Sequence, residues 1–131
     1  MKNKDLWDSL LEPINPHLCV LLGFLNIAFG VLGLMPGASG SPVYSFLDAV
    51  APAPIWAIIS IAVGVMLVSL HKWGKTRDLV VPMWINGILW AFQATVVLFS
   101  DWNSSGWLIM GFIAVYSLFV AANFKVNFRN E

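Results

Sequence analysis

The chain has 131 residues and a formal net charge of zero, with 59% hydrophobic and 11% charged residues. A soluble domain typically carries about twice that charged fraction, so the composition excludes an ordinary water-soluble domain and indicates a surface that faces lipid. The balanced charge predicts no nucleic-acid partner, and the single cysteine, Cys19, excludes an internal disulfide and a thiolate metal site.

Residues 4–14 have the pattern of a short amphipathic helix. Apolar side chains, among them Trp7 and Leu10, recur on one stripe, while Asp5 and Asp8 point away from it. We expect this helix to lie in the cytoplasmic interface of a membrane, with Trp7 at the depth of the lipid headgroups. Because the segment is acidic as well as basic, it does not match a cleavable signal peptide.

Four long apolar runs follow, at residues 15–35, 53–70, 79–100 and 105–124. Each is close to the ~20 helical residues that are needed to cross a bilayer. We therefore predict an all-α integral membrane four-helix bundle that forms a single domain over residues 1–131. The short connections at 71–78 and 101–104 require the helices that they join to be antiparallel.

Small residues recur at short spacings along the first two runs, at Gly23, Gly30, Gly33, Ser60 and Gly64. Steps of three or four residues keep such positions on one face of a helix. Small side chains there let two helices approach closely inside a membrane. We therefore predict that these faces pack helix against helix.

The connection between the first and second runs contains a second amphipathic pattern. It begins with Gly, Ser and Pro, and its apolar residues are then spaced at i, i+3, i+4 and i+7, at Val43, Phe46, Leu47 and Val50. This spacing predicts a short helix that lies on the outer surface of the membrane.

Three amide side chains lie inside the apolar runs, at Asn26, Asn86 and Gln93. Asn86 and Gln93 are seven residues apart, so they share one face of a helix. An amide without a hydrogen-bond partner is costly in hydrocarbon, so these groups require partners. Either they bond to one another inside the bundle, or they face another protomer or a water-filled lumen.

All seven Lys and Arg residues fall on one side if each of the four runs crosses the membrane once. Lys72, Lys75 and Arg77 lie between the second and third runs and set this topology, whereas the two other connections contain no basic residue. An excess of Lys and Arg marks the cytoplasmic side. We therefore predict an inner-membrane protein with both termini in the cytoplasm.

Five tryptophans are expected to anchor the bundle at the membrane interfaces. Their amphipathic rings favour the headgroup region, and they lie close to the predicted ends of spans or in the first interfacial helix. They are Trp7, Trp56, Trp73, Trp102 and Trp107.

The sequence offers little for catalysis or ion transport. The middle of each run contains no ionisable residue, which argues against a proton relay or an ion pathway. His17 and His71 are expected at the cytoplasmic interface, and two histidines are too few to indicate a metal or haem site. Phosphate-binding and hydrolase motifs are absent from the sequence. We predict no enzymatic activity, no cofactor and no metal.

A weak internal repeat relates the two halves of the chain. Residues 56–60 are similar to residues 107–111, and Asn26 in the first run corresponds to Asn86 in the third. If the likeness is not due to chance, the protein consists of two helical hairpins related by an axis along the membrane normal.

Residues 22–33, the Pro-rich turn after them and Trp56 resemble small four-span, holin-like membrane proteins that phages encode. The resemblance lies in size and span pattern, and it implies a protein that assembles with copies of itself into a membrane lesion. The chain departs from that pattern in its short charged tail, residues 125–131. The alternative is an accessory or exclusion protein that binds a larger membrane protein through its many aromatic residues.

Overall fold

The computed structural model describes residues 12–36, 47–100, 103 and 105–129. The long elements of that part of the chain are all helical, which confirms the predicted all-α class. They are α1 (Leu18–Leu34), α2 (Ala53–Trp73), a 3-10 helix (Thr76–Leu79), α3 (Val80–Ser100) and α4 (Gly106–Asn127).

The start and end of α2 follow from local chemistry. Pro52 precedes the helix and Pro54 lies in its first turn, where a proline costs no hydrogen bond. The Asp48 carboxylate accepts a hydrogen bond from the Ala53 N–H at 2.9 Å and so satisfies a donor that the helix itself leaves unpaired. At the other end, the Gly74 N–H donates to the Leu70 carbonyl at 2.9 Å.

The connection from α2 to α3 is a tight turn stabilised by an aspartate. The Asp78 carboxylate accepts a hydrogen bond from the Lys75 N–H at 2.8 Å, and the 3-10 helix runs directly into α3. Such a short connection forces α2 and α3 to be antiparallel, as the sequence predicts.

The helices pack most closely within two hairpins, α1 with α2 and α3 with α4. In the first hairpin, a Cβ added to Gly64 would lie 2.5 Å from the Gly23 carbonyl oxygen, and one added to Gly30 would lie 2.6 Å from the Ala57 oxygen. In the second, a Cβ on Gly87 would meet the Leu118 side chain at 2.7 Å. Glycine is therefore required where the backbones of α1 and α2 come into contact.

The two hairpins share one hydrophobic core, because its buried members come from all four long helices and the 3-10 helix. They are Cys19, Leu22, Val63, Leu67, Leu79, Met83, Val120, Ala121 and Phe124. Two smaller hydrophobic clusters, around Trp56 and around Trp90, lie nearer the end of the bundle at which α2 begins. The described helices thus form one four-helix bundle.

Amide side chains are buried inside this bundle, whereas many of its large apolar side chains are exposed. Asn26, Asn86 and Gln93 are fully buried, whereas Phe112 is 70% exposed and Val115 is 68% exposed. A water-soluble bundle has the reverse arrangement, because exposed apolar surface is costly in water. The exterior is therefore suited to contact with lipid chains.

Three helical segments are long and apolar enough to cross a membrane, at Ala53–Trp73, Thr76–Phe99 and Gly106–Asn127. The fourth, α1, is apolar but has only 17 residues, which corresponds to about 26 Å. The predicted first span, 15–35, is longer than this helix because residues 16–17 form a turn and Met35 has an extended backbone.

The two predicted interfacial helices are not supported. Residues 4–11 and 43–46 lie outside the described residues, and residues 12–14 form a bend and irregular chain instead of helix. Pro13 and Pro16 disfavour a continuous helix there. The segment is instead held against α4, since the Ile14 N–H donates to Asn123 Oδ1 at 3.1 Å and Asn123 Nδ2 donates to the Glu12 carbonyl at 2.8 Å.

Candidate functional site

Buried polar side chains from three helices form a hydrogen-bonded network near the middle of the bundle. Asn26 of α1 donates from Nδ2 to Asn86 Oδ1 of α3 at 2.7 Å, and also to the Leu22 carbonyl at 2.8 Å. Trp90 Nε1 donates to Asn26 Oδ1 at 3.2 Å. Asn86 Nδ2 donates to Ser117 Oγ of α4 at 2.8 Å.

The network satisfies both asparagines within a single copy of the chain. In Asn26, the side-chain oxygen accepts a hydrogen bond and the side-chain nitrogen donates, and the same is true of Asn86. Of the alternatives that the sequence leaves open, the structure places these two amides in the interior of the bundle. Because the network joins α1, α3 and α4, it fixes the rotation of one hairpin against the other.

Gln93 behaves differently from the two asparagines, although it lies two turns from Asn86 along the same helix. It is fully buried, and neither Oε1 nor Nε2 has a hydrogen-bond partner among the described residues. The hydroxyl of Ser60 on α2 is also buried and also has no hydrogen-bond partner among the described residues. A buried polar group without a partner typically costs about 1–3 kcal/mol. Gln93 is therefore the amide that the isolated bundle does not satisfy.

The glycines divide into packed and open positions. Gly23, Gly30 and Gly64 lie in the contact between α1 and α2, and Gly33 is also buried. Gly111 of α4 is different, because a Cβ added there would meet nothing within 4 Å.

A shallow apolar cleft of about 250 Å³ surrounds Gly111 on the outer face of α4. Its other lining residues are Trp107, Leu108, Phe112 and Val115. Phe112 and Val115 are among the most exposed side chains of the bundle. A glycine between such large apolar side chains leaves a notch into which a side chain from another helix fits.

The predicted interface tryptophans occupy different environments. Trp56 is buried, with Nε1 donating to the Leu47 and Ala51 carbonyls at 2.9 Å and the ring stacked on Phe92. Trp73 is 75% exposed, and the Lys72 ammonium lies 4.9 Å from its ring centre. Trp107 borders the Gly111 cleft, whereas Trp7 and Trp102 lie outside the described residues.

Five of the seven basic residues are described, and all five lie at one end of the bundle. Lys72, Lys75 and Arg77 are in the connection between α2 and α3, and Lys125 and Arg129 are at the end of α4. Arg77 lines the same cleft as Lys125 and Arg129. The acidic Asp48 lies at the opposite end, where α2 begins.

Two histidines meet at the basic end, a contact that sequence reasoning did not predict. The rings of His17 and His71 are 4.9 Å apart between their centres. Within the part of the chain that the structure describes, no group of three His, Cys, Asp or Glu side chains could hold a metal ion. The pair therefore joins the start of α1 to the end of α2.

Sequence reasoning also missed three side chains that anchor the fold. Trp90 and Ser117 complete the central network, and Asn123 holds the segment before α1. Each is a polar group inside or at the end of an apolar run, and that position is the only signal that could have identified it. Their partners are distant in the sequence and depend on how the helices are rotated.

Comparison of the chain with protein-family models, curated proteins and solved structures finds no match. The class of protein therefore follows from the structure alone. It is a helical bundle with a hydrophobic core that contains a buried polar network, and its exterior is apolar. Three of its helical segments are long and apolar enough to cross a membrane.

Proposed function

We propose that this chain is an inner-membrane protein that crosses the bilayer four times and acts, without catalysis, by assembling with copies of itself into a holin-like lesion. The apolar exterior and the basic end of the bundle support membrane insertion with both termini in the cytoplasm. The likeness to small phage-encoded membrane proteins in size and span pattern supports the mode of action.

The shortness of α1 is compatible with a fourth span. Its length of about 26 Å is near the lower end of what crosses a hydrocarbon core ~30 Å thick. A short span is accommodated by local thinning of the bilayer or by association with other copies. Phe24 and Leu32, both 57% exposed, present an apolar surface along it.

The Gly111 notch is the observation that carries the proposal of self-assembly. Within the first hairpin, Gly23 and Gly64 lie where the backbones of α1 and α2 come into contact. Gly111 differs, because its face is open and borders the exposed side chains of Phe112 and Val115. In a membrane, where lipid and protein are equally apolar, close packing over small residues is what drives helices together. The α4 face therefore fits a second copy of the bundle.

Oligomeric state in a native-like bilayer tests this proposal. We expect the full chain, labelled with one fluorophore and reconstituted at low density, to photobleach in several steps. Gly111→Leu fills the notch and should shift the distribution toward single steps. The matched control is Ala62→Leu, which adds the same side chain at an exposed position of α2 and should leave the oligomer unchanged.

The same measurement separates the proposal from the alternative of an accessory protein. If the unaltered chain is monomeric and copurifies from cell membranes with a larger membrane protein, that result would contradict self-assembly. Equal loss of the oligomer in Gly111→Leu and Ala62→Leu would show that α4 has no special role in the contact.

A further inference from the structure

A second cleft lies at the basic end, between the start of α3 and the end of α4. It has a volume of about 460 Å³ and combines two kinds of lining. One side is cationic, formed by Arg77, Lys125 and Arg129. The other is apolar and includes Trp84 and Phe124.

Cationic side chains predominate in the described lining of this cleft. Among the residues described, its lining includes three cations and no acidic side chain. Lys125 and Arg129 also border an adjoining cleft together with Val126. Three positive charges converging on one concave surface favour an anion.

The apolar wall of the cleft extends toward the middle of the bundle. Val81 is 65% exposed and Trp84 is 40% exposed, and both lie in the first two turns of α3. These side chains belong to a helical segment that is long and apolar enough to cross a membrane. A ligand with an anionic head and a hydrocarbon tail would match both parts of the cleft.

We propose that this cleft binds an anionic phospholipid. The lipid phosphate lies against Arg77, Lys125 and Arg129, and one acyl chain follows Val81 and Trp84 along α3. Arginine binds phosphate oxygens in a bidentate geometry, and lysine adds a point charge. The site concerns a single copy of the chain, so it does not depend on self-assembly.

Native mass spectrometry of the full chain in a neutral detergent tests this site. The protein is titrated with dioleoyl phosphatidylglycerol or, separately, with dioleoyl phosphatidylcholine of the same chain length. We expect a first phosphatidylglycerol to bind at concentrations at which phosphatidylcholine does not. Loss of a basic residue near a lipid surface weakens binding about fivefold, so Lys125→Gln with Arg129→Gln should weaken the first step roughly twenty-five-fold.

The matched control removes two other cations from the same end of the bundle, Lys72→Gln with Lys75→Gln, neither of which lines the cleft. This variant should retain the preference for phosphatidylglycerol. If both double variants lose it equally, the preference reflects general surface charge, and the proposed site is wrong. Unchanged far-UV circular dichroism and an unchanged melting temperature establish that each variant is folded.

Free glycerol phosphate distinguishes a lipid from a soluble phosphate. If the lipid is the ligand, glycerol phosphate should not displace phosphatidylglycerol at equal concentration, and Trp84→Ala should weaken lipid binding. Displacement by glycerol phosphate, together with full lipid binding by Trp84→Ala, would show a phosphate site without a role for the acyl chain. That outcome would overturn the proposal.

Discussion

Replacement of Asn86 or Gln93 by leucine should change the stability of the bundle in opposite directions. Both side chains are fully buried on α3, so the two substitutions remove the same type of polar group from the same helix. They differ in hydrogen bonding, because Asn86 bonds to Asn26 and Ser117, whereas Gln93 has no partner among the described residues.

The magnitudes follow from these contacts. Asn86→Leu removes two interhelical hydrogen bonds of 2.7 and 2.8 Å. Each is worth about 0.6–1.7 kcal/mol in a membrane bundle, so the free energy of unfolding should fall by roughly 1–3 kcal/mol. Gln93→Leu removes an unpaired amide and replaces it by an apolar group of similar size, which should raise that free energy by about 1–3 kcal/mol.

Unfolding of the purified chain in mixed micelles, with increasing sodium dodecyl sulfate, measures this difference. Ile88→Leu is the control, because Ile88 is 62% exposed on the same helix and the substitution should have little effect. The reasoning would be refuted if Gln93→Leu were as destabilising as Asn86→Leu. Such a result would mean that Gln93 has a partner in the folded state, such as a buried water.

Two further substitutions test the packing. Gly64→Ala should lower the free energy of unfolding by about 1–3 kcal/mol in the same micelle assay, because its Cβ would lie 2.5 Å from the Gly23 carbonyl oxygen. Gly111→Ala, whose Cβ meets nothing within 4 Å, is the matched control, and equal losses would contradict the close contact of α1 with α2. Asn123→Ala should release the segment before α1, so hydrogen exchange at the Ile14 amide should become faster while exchange in α3 is unchanged. An unchanged rate at Ile14 would show that this hydrogen bond does not hold the segment.

The helices were predictable because each depends on nearby residues. Runs of apolar residues, Pro52 before α2, Pro54 in its first turn and Gly74 after it are local features that mark helix limits without tertiary information. The antiparallel order of α2 and α3 also follows from the short connection between them. The prediction of an N-terminal helix over residues 4–14 is not supported where it can be checked, since the chain from Glu12 to Ile14 is irregular.

The candidate site was only partly predictable. The sequence indicates that Asn26, Asn86 and Gln93 need partners, but the identity of the partner depends on helix rotation and height in the bundle. As a result, Trp90 and Ser117 were not assigned to the network. The cleft at Arg77 and Arg129 was likewise hidden, because residues so far apart in the sequence meet only when α3 and α4 pack against each other.

The central claim is that the chain acts by assembling in the membrane, and membrane potential in living bacteria tests it most directly. The unaltered chain and its Gly111→Leu and Ala62→Leu variants are expressed inducibly at equal membrane levels. The fluorescence of a potential-sensitive dye is followed over time. We expect an abrupt collapse after a delay for the chain and for Ala62→Leu, and a later or absent collapse for Gly111→Leu. An unchanged potential at high membrane levels of the unaltered chain would contradict the claim.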